Sequence, residues 1–324
     1  TSAAWVPLPT GDDPSHLDVL GDIFSAVGAD DPGTSKVWGG KTDINILLLG
    51  VDRRSEGGDQ NADVILIVHV DLINSRVAAV SIPRDLLVDI PGVGPDKINS
   101  AYNYGYQANP TDLASGVGKM RDTIESVFGV PIDGYVLIDF NGFVDVVDEM
   151  GGVDIDVPAL IIDTEYPTED YGTESVTFLP GMQHMNDDNA MLYVRTAHQD
   201  SDDGRRERQI QVLRALFDQA KSVGSLTNGF QIINALGDAV QTSFSLEQQL
   251  TLAKLGFGMT NDDITTAALT APLISGGYIS TGAWVYQGDL GAIRQWITEN
   301  LDTTTPPVSE NVAGTGEITP TPVP

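Results

Sequence analysis

NILLLGVDRRSEGGDQNADVILIVHVDLINSRVAAVSIPRD, from Asn45 to Asp85, decides the reading of this chain. Three apolar runs, Ile46–Leu49, Val64–Val70 and Val77–Ile82, are short, rich in Val, Ile and Leu, and bounded by turn residues. That pattern predicts three buried strands. The first run leads into Asp52, Arg53 and Arg54, the second is preceded by Asp63, and the third by way of Pro83 reaches Arg84 and Asp85. Charges at the ends of buried strands sit where loops on a rigid sheet carry function. A single such charge is as easily a solvated one, but here the placement recurs at three strand ends.

Working outward, Thr111–Phe128 places Leu113, Val117, Met120, Ile124 and Val127 at helical spacing behind a Thr cap. Gly134–Asp139 reads as a strand, Phe140–Met150 as a helix stopped by Gly151-Gly152, and Val153–Val157 as another strand. Leu86–Pro91 is a further extended piece. Helices are predicted over Asp187–Arg195, Arg205–Val223, Phe230–Val240, Leu246–Leu255 and Leu290–Leu301, with strands at Ile264–Leu269 and Ala283–Tyr286. Strands alternating with helices predict an α/β fold, a central mixed β-sheet covered by helices in a three-layer-like arrangement. Residues 1–42 read as a flexible N-terminal segment with one short amphipathic helix at Leu17–Val27. Residues 43–301 form one domain, and 302–324, rich in Thr and Pro, read as a disordered tail.

Composition excludes several functions. The 324 residues carry 46 acidic and 17 basic side chains, a net charge of −29, which argues against nucleic acid as a partner. Cysteine is absent, so disulfides, thiol chemistry and Cys-type zinc sites are excluded. No run approaches the roughly 20 apolar residues needed to span a bilayer.

Arginine usage points the other way. Arg outnumbers Lys by 11 to 6, and four of the arginines lie between Arg205 and Arg214. Concentrated Arg suggests bidentate recognition of phosphate or carboxylate. If a helix begins at Arg205, then Arg208 and Gln209 share its face, Arg206 points elsewhere, and Asp203-Gly204 supplies the cap. The first turn would add free N–H groups and the positive dipole end. Arg205, Arg208 and Gln209 are thus a candidate oxyanion clamp. The competing reading is salt bridging to Asp202, Asp203 and Glu207. Asp52 and Asp63, separated by one loop, are candidates for a hard divalent cation, which takes one or two carboxylates and fills its shell with water and phosphate oxygens. Nothing in their spacing demands that they converge. His69, inside an apolar strand, is read as structural.

The quoted stretch resembles the LytR–CpsA–Psr family of bacterial cell-envelope proteins. The likeness continues in DKINSAYNYG (Asp96–Gly105), FNGFVDVVDEMGGVDIDVP (Phe140–Pro158), LPGMQHMNDDNAMLYVR (Leu179–Arg195) and DGRRERQIQVLRA (Asp203–Ala215). The resemblance implies transfer of a glycopolymer from a polyprenyl-pyrophosphate carrier to peptidoglycan or a related wall glycan, with polyprenyl phosphate released. It implies Mg²⁺ (or Mn²⁺) on Asp52 and Asp63. Pyrophosphate would be bound by Arg53, Lys97, Arg205, Arg208 and Gln209, with Arg84 and Arg195 stabilising developing charge and Asp85 as a possible base. It also implies a polyprenyl pocket, for which Phe140, Phe143, Val144, Leu213 and Phe217 are candidates; the alternative is that these are simply core. A place on the extracytoplasmic face of the membrane, behind an N-terminal anchor absent from this chain, is expected as well. One departure stands out. The family's usual R-x-R pair reads Arg195-Thr196-Ala197 here, so the second Arg is missing. That departure keeps two rivals open, a pyrophosphatase using water as acceptor and a non-catalytic scaffold that holds the lipid pyrophosphate.

Overall fold

A computed structural model describes residues 36–52, 60–168, 172–197, 199, 201–222 and 240–304. The quoted stretch forms three adjoining strands, β1 (Asp43–Val51), β2 (Ala62–Asp71) and β3 (Arg76–Ser81), paired antiparallel in sequence order. β6 (Gly134–Asp139) joins β1 in parallel, and β12 (Ile264–Ala268) joins β3 in parallel. With β11 (Val240–Thr242) on the outer edge, the six-stranded sheet runs β11-β6-β1-β2-β3-β12. β1, β3, β6 and β12 therefore all point the same way. Their carboxyl ends, and the start of β2, meet along one edge of the sheet.

The side-chain period of two divides each strand between faces. Leu47, Leu49, Val51, Ile65, Ile67 and Val80 face one large core, with α1 (Ser100–Ala108), α2 (Leu113–Phe128) and α7 (Leu290–Leu301) on that side. Burying each such Leu or Ile contributes about 1.5–3 kcal/mol. Asp112 caps α2 through Ala114 N at 3.0 Å, and Gly129 closes it in the left-handed region at φ 76°. Ile44, Ile46 and Val70 face the other side and pack with Trp38, Phe244 and Leu255 of α6 (Leu246–Gly258).

A second layer is built on α3 (Phe140–Glu149), α4 (Asp187–Arg195) and α5 (Ser201–Ser222), with two hairpin-like pairs, β7 (Val153–Val157) with β10 (Gly181–Met185) and β8 (Ile161–Pro167) with β9 (Thr173–Phe178). Val147, Ile155, Tyr166, Phe178, Tyr193 and Val212 make its own apolar cluster. β4 (Leu87–Ile90) pairs with β5 (Gly94–Lys97), and β13 (Ile274–Tyr278) with β14 (Trp284–Gly288).

The mixed α/β architecture matches the expectation from sequence. Three expectations are corrected. The helix predicted to begin at Arg205 begins at Ser201, one turn earlier. α1 and the β8–β9 hairpin were not anticipated. Val240, placed at the end of a predicted helix, opens strand β11; the rest of that helix, the helix at Leu17–Val27 and the residues after 304 lie outside the described residues.

Candidate functional site

Asp63 owes its position to a break in the ladder. Gly50 pairs with Val64 and Val51 with Ala62, so Asp63 has no opposite number on β1. Such a bulge re-aims one side chain. Gly50 is required there, because a Cβ would lie 2.9 Å from the Val64 side chain. Asp52 follows β1 directly, its N–H reaching the Asn61 carbonyl at 3.4 Å. Asp52 and Asp63 thus flank the same strand junction.

Arg84 and Asp85 follow β3 and reach the same edge. Arg84 Nη1 donates to Asp63 Oδ1 at 2.7 Å, and Lys97, at the end of β5, donates to Asp85 Oδ1 at 2.6 Å. Burial works against the Arg84 charge, but the carboxylates of Asp63 and Asp85 outweigh it and raise its pKa. Its Nε lies 3.6 Å from Asp85 and 3.7 Å from Asp202, too long for a hydrogen bond.

Asp202, in the first turn of α5, is the hub, and with Asp203 it realises the competing salt-bridge reading of the arginine cluster. It accepts from Arg205 Nη2 and, at 2.8 Å, from Arg206 Nη1. The first turn carries Asp202 and Asp203, so the positive end of the helix faces the protein's own acids instead of offering bare N–H groups beside Arg205. Arg205 is buried, and that burial together with the like charge of Arg84 pulls its pKa down to about 10. It stays cationic at neutral pH, under strain.

The other arginines of α5 depart from the clamp reading in detail. Arg206 does turn away from Arg205, but into the protein: it is 3% exposed, donates to the Leu269 carbonyl at 3.1 Å and lies 5.8 Å over the Tyr286 ring. Arg208 donates to the Tyr193 carbonyl at 3.0 Å and to the Thr196 carbonyl, and Gln209 reaches Val194 O at 3.3 Å. Both satisfy carbonyls at the end of α4, where the helix leaves acceptors unpaired.

Arg195 ends α4 and differs from the rest. Its guanidinium carbon lies 4.9 Å from the Phe140 ring centre and 5.3 Å from that of Tyr166. Among the described residues it donates to no acceptor. Phe140 opens α3 just past the end of β6, which explains how a residue far away in sequence meets Arg195. Of the other apolar candidates, Phe143 packs against the second-layer cluster and Phe217 against the cluster of Trp38 and Phe244. Val144 and Leu213 are half-buried. The five are not brought into one cluster. Arg53 lies outside the described residues.

No group of three or more His, Asp or Glu gathers as a metal site among the described residues. The strand junction still suits a hard cation that needs only two carboxylates. Gln60 and Asn99, which adjoin the junction through the chain and the backbone, each carry a buried side-chain oxygen without a hydrogen-bond partner among the described residues. Both belong to this junction: Asn99 accepts from Ala62 N and donates to Arg84 O through its backbone, at 3.4 and 3.1 Å. An all-oxygen environment of this kind fits Mg²⁺ or Mn²⁺.

These features define an α/β protein with a cluster of arginines and carboxylates at the carboxyl ends of its strands. The chain belongs to the LytR_cpsA_psr family, which it matches over residues 25–301. It is 31% identical over 273 residues to the polyisoprenyl-teichoic acid–peptidoglycan teichoic acid transferase TagV of Bacillus subtilis, covering 82% of this chain and 66% of TagV. It is 32% identical over 248 residues to TagU of Oceanobacillus iheyensis, of the same transferase name, covering 76% of this chain and 71% of TagU. The crystal structure of B. subtilis TagV superposes with a TM-score of 0.66 at 29% identity, covering 82% of this chain and 99% of that one. TagT bound to LIIa-WTA, a wall teichoic acid ligand, gives 0.63 at 26% identity, covering 81% and 91%.

Proposed function

We propose that the protein is a phosphotransferase that moves a glycopolymer from a polyprenyl-pyrophosphate carrier to peptidoglycan or a related wall glycan. The observation that carries this reading is Arg195, a guanidinium held against two rings with no acceptor among the described residues. Cation–π contacts fix its position while leaving its N–H donors for an anion. The names of TagV and TagU, and the ligand of TagT, supply the chemistry that such an anion would have.

In the reaction, an acceptor hydroxyl attacks the phosphorus that bears the polymer. A new P–O bond forms as the bond to the bridging pyrophosphate oxygen breaks, and polyprenyl phosphate leaves. Negative charge grows on the bridging oxygen, and stabilising it is the main task of such a site. Arg195 and Arg205 face that charge. Arg84 joins them by exchanging its contact with Asp63 for a phosphate oxygen. Asp85 holds Lys97 for the same purpose, and a role for Asp85 as base remains secondary. Asp202 keeps Arg205 and Arg206 apart from each other's repulsion. Arg208 and Gln209 fix the end of α4, and so Arg195, through its carbonyls. Mg²⁺ or Mn²⁺, held by Asp52 and Asp63, would neutralise phosphate charge when bound. Arg53 is a further phosphate contact.

Phe140, against Arg195, is the apolar candidate that meets the site and would border the prenyl chain; Phe143, Val144, Leu213 and Phe217 are not gathered with it. The carrier places the reaction on the extracytoplasmic face of the cell membrane; no helix among the described residues is long and apolar enough to cross one. The test is incubation with a prenyl-pyrophosphate-linked glycan and Mg²⁺, with and without a peptidoglycan acceptor. Acceptor-dependent release of prenyl phosphate, with the glycan on the acceptor, is expected. Equal release without acceptor identifies a pyrophosphatase. Binding without release identifies a carrier scaffold.

A further inference from the structure

We infer that Asp163 and Tyr166, on the bulged strand β8, are positioning residues for Arg195. This inference rests on the anion site proposed above. In a regular strand, residues three apart face opposite sides. β8 breaks that rule: Asp163 pairs with Val176 and Tyr166 with Glu174, three steps on β8 against two on β9. Glu165 N donates to Asp163 Oδ1 at 3.0 Å across the irregularity. As a result both Asp163, 1% exposed, and Tyr166, 4% exposed, face inward.

Both meet the end of α4. Asp163 Oδ2 accepts from Thr196 Oγ1 at 2.5 Å and from Ala197 N at 3.3 Å. Tyr166 supplies one of the two rings against the Arg195 guanidinium, at 5.3 Å. The strand therefore fixes the turn that follows Arg195 and one face of its side chain together. Thr196 is itself buried, and its carbonyl accepts from Arg208.

A merely structural turn would not favour this choice. A buried carboxylate is costly unless its lone pairs are satisfied. The carboxyl end of a helix is the wrong end for a negative charge. Asp163 meets the first condition through Glu165 N, Thr196 Oγ1 and Ala197 N, bears the second penalty, and gains a rigid seat beside Arg195. In this chain Ala197 stands where the family's second Arg is usual, so the anion meets a single guanidinium at this point, and its placement matters more.

The test is a double-mutant cycle on affinity for geranyl pyrophosphate, read by calorimetric titration of the whole chain. Wild type, Asp163→Asn, Arg195→Ala and the double variant are compared, with circular dichroism as a control of fold. Asp163→Asn is expected to weaken binding about 10-fold, and to cause no further loss once Arg195 is gone. Additive losses would overturn the inference, since they would mean Asp163 acts independently of Arg195. If Asp163→Asn does not fold, Tyr166→Leu enters the same cycle, with an expected loss of about 2- to 30-fold and the same criterion. Wild type that binds no pyrophosphate would sink the site itself, a result distinguishable from an additive cycle.

Discussion

Arg205→Met separates stability from binding at one position. The wild-type guanidinium is buried beside Arg84, and its pKa falls to about 10. A fall of that size disfavours the charged form by about 3 kcal/mol. That fall is already net of the neighbouring carboxylates, so about 3 kcal/mol is the upper figure for the strain. Removing the cation does not orphan Asp202, because Arg206 Nη1 holds its other oxygen at 2.8 Å. Met also fills most of the vacated space. The unliganded variant should therefore melt no lower than wild type, and about 2–4 °C higher for each kcal/mol recovered. Affinity for geranyl pyrophosphate should drop about 10- to 150-fold, the cost of one charge-assisted contact. Scanning calorimetry and titration calorimetry measure the two. A variant that melts several degrees lower yet binds as wild type would refute the reasoning and make Arg205 a structural partner of Asp202.

Arg206→Ala should do the reverse, since it removes a buried side chain that holds Asp202, the Leu269 carbonyl and the Tyr286 ring while Arg205 still holds Asp202: about 1–3 kcal/mol of stability lost, seen as a fall in Tm of several degrees. A folded variant of unchanged Tm would contradict the geometry. The pH dependence follows from the depressed Arg205 pKa. The unfolded chain binds this proton more tightly than the folded protein does, so this group's penalty is present at neutral pH and lifts as pH climbs through about 10. Anion affinity needs the proton on, so it should stay level near neutrality and fall through the same interval; a flat titration curve to higher pH would remove Arg205 from the anion site. Asp52→Ala and Asp63→Ala should each abolish metal-dependent turnover with circular dichroism unchanged, and full activity of either at limiting Mg²⁺ would exclude that carboxylate as a ligand.

Legibility from sequence followed the strength of the local pattern. β1, β2 and β3 were readable because their apolar runs are continuous, as strands covered on both faces must be. α2 was readable from its spacing, although its cap is Asp112 and not the expected Thr111. β8 and β9 were not: Ile162, Thr164, Glu165 and Glu174 face solvent, and the bulge destroys the alternation that marks a strand. α1 escaped because SAYNYGYQA lacks an apolar stripe; it is held by Tyr102 and by Gly105, where a Cβ would meet Ser115 O of α2 at 2.3 Å. At the site, Arg84, Lys97 and Arg205 were legible as cations near strand and helix ends. Asp202 and Asp203 were legible as competing salt-bridge partners of the arginine cluster; the contact of Arg84 with Asp63 was not, and only the earlier start of α5 turns Asp202 inward. The ring faces around Arg195 come from residues 55 and 29 positions away, a juxtaposition that spacing cannot carry.

The irregularity in β8 makes this part of the protein sensitive to length more than to chemistry. Thr164 and Glu165 are exposed, and almost any polar residue would serve at either position. Their number is another matter. Deleting one of them would restore two steps against two and leave Asp163 and the residue after the gap in regular alternation. Tyr166 would then occupy the position next but one to Asp163, and the Asx contact from residue 165 that shapes the backbone would be lost. Loss of one residue would thus keep both side chains on the inner face and cost only that contact, whereas loss of both would set Tyr166 directly after Asp163 and turn its ring to the opposite face, away from Arg195, without touching any residue that meets the substrate.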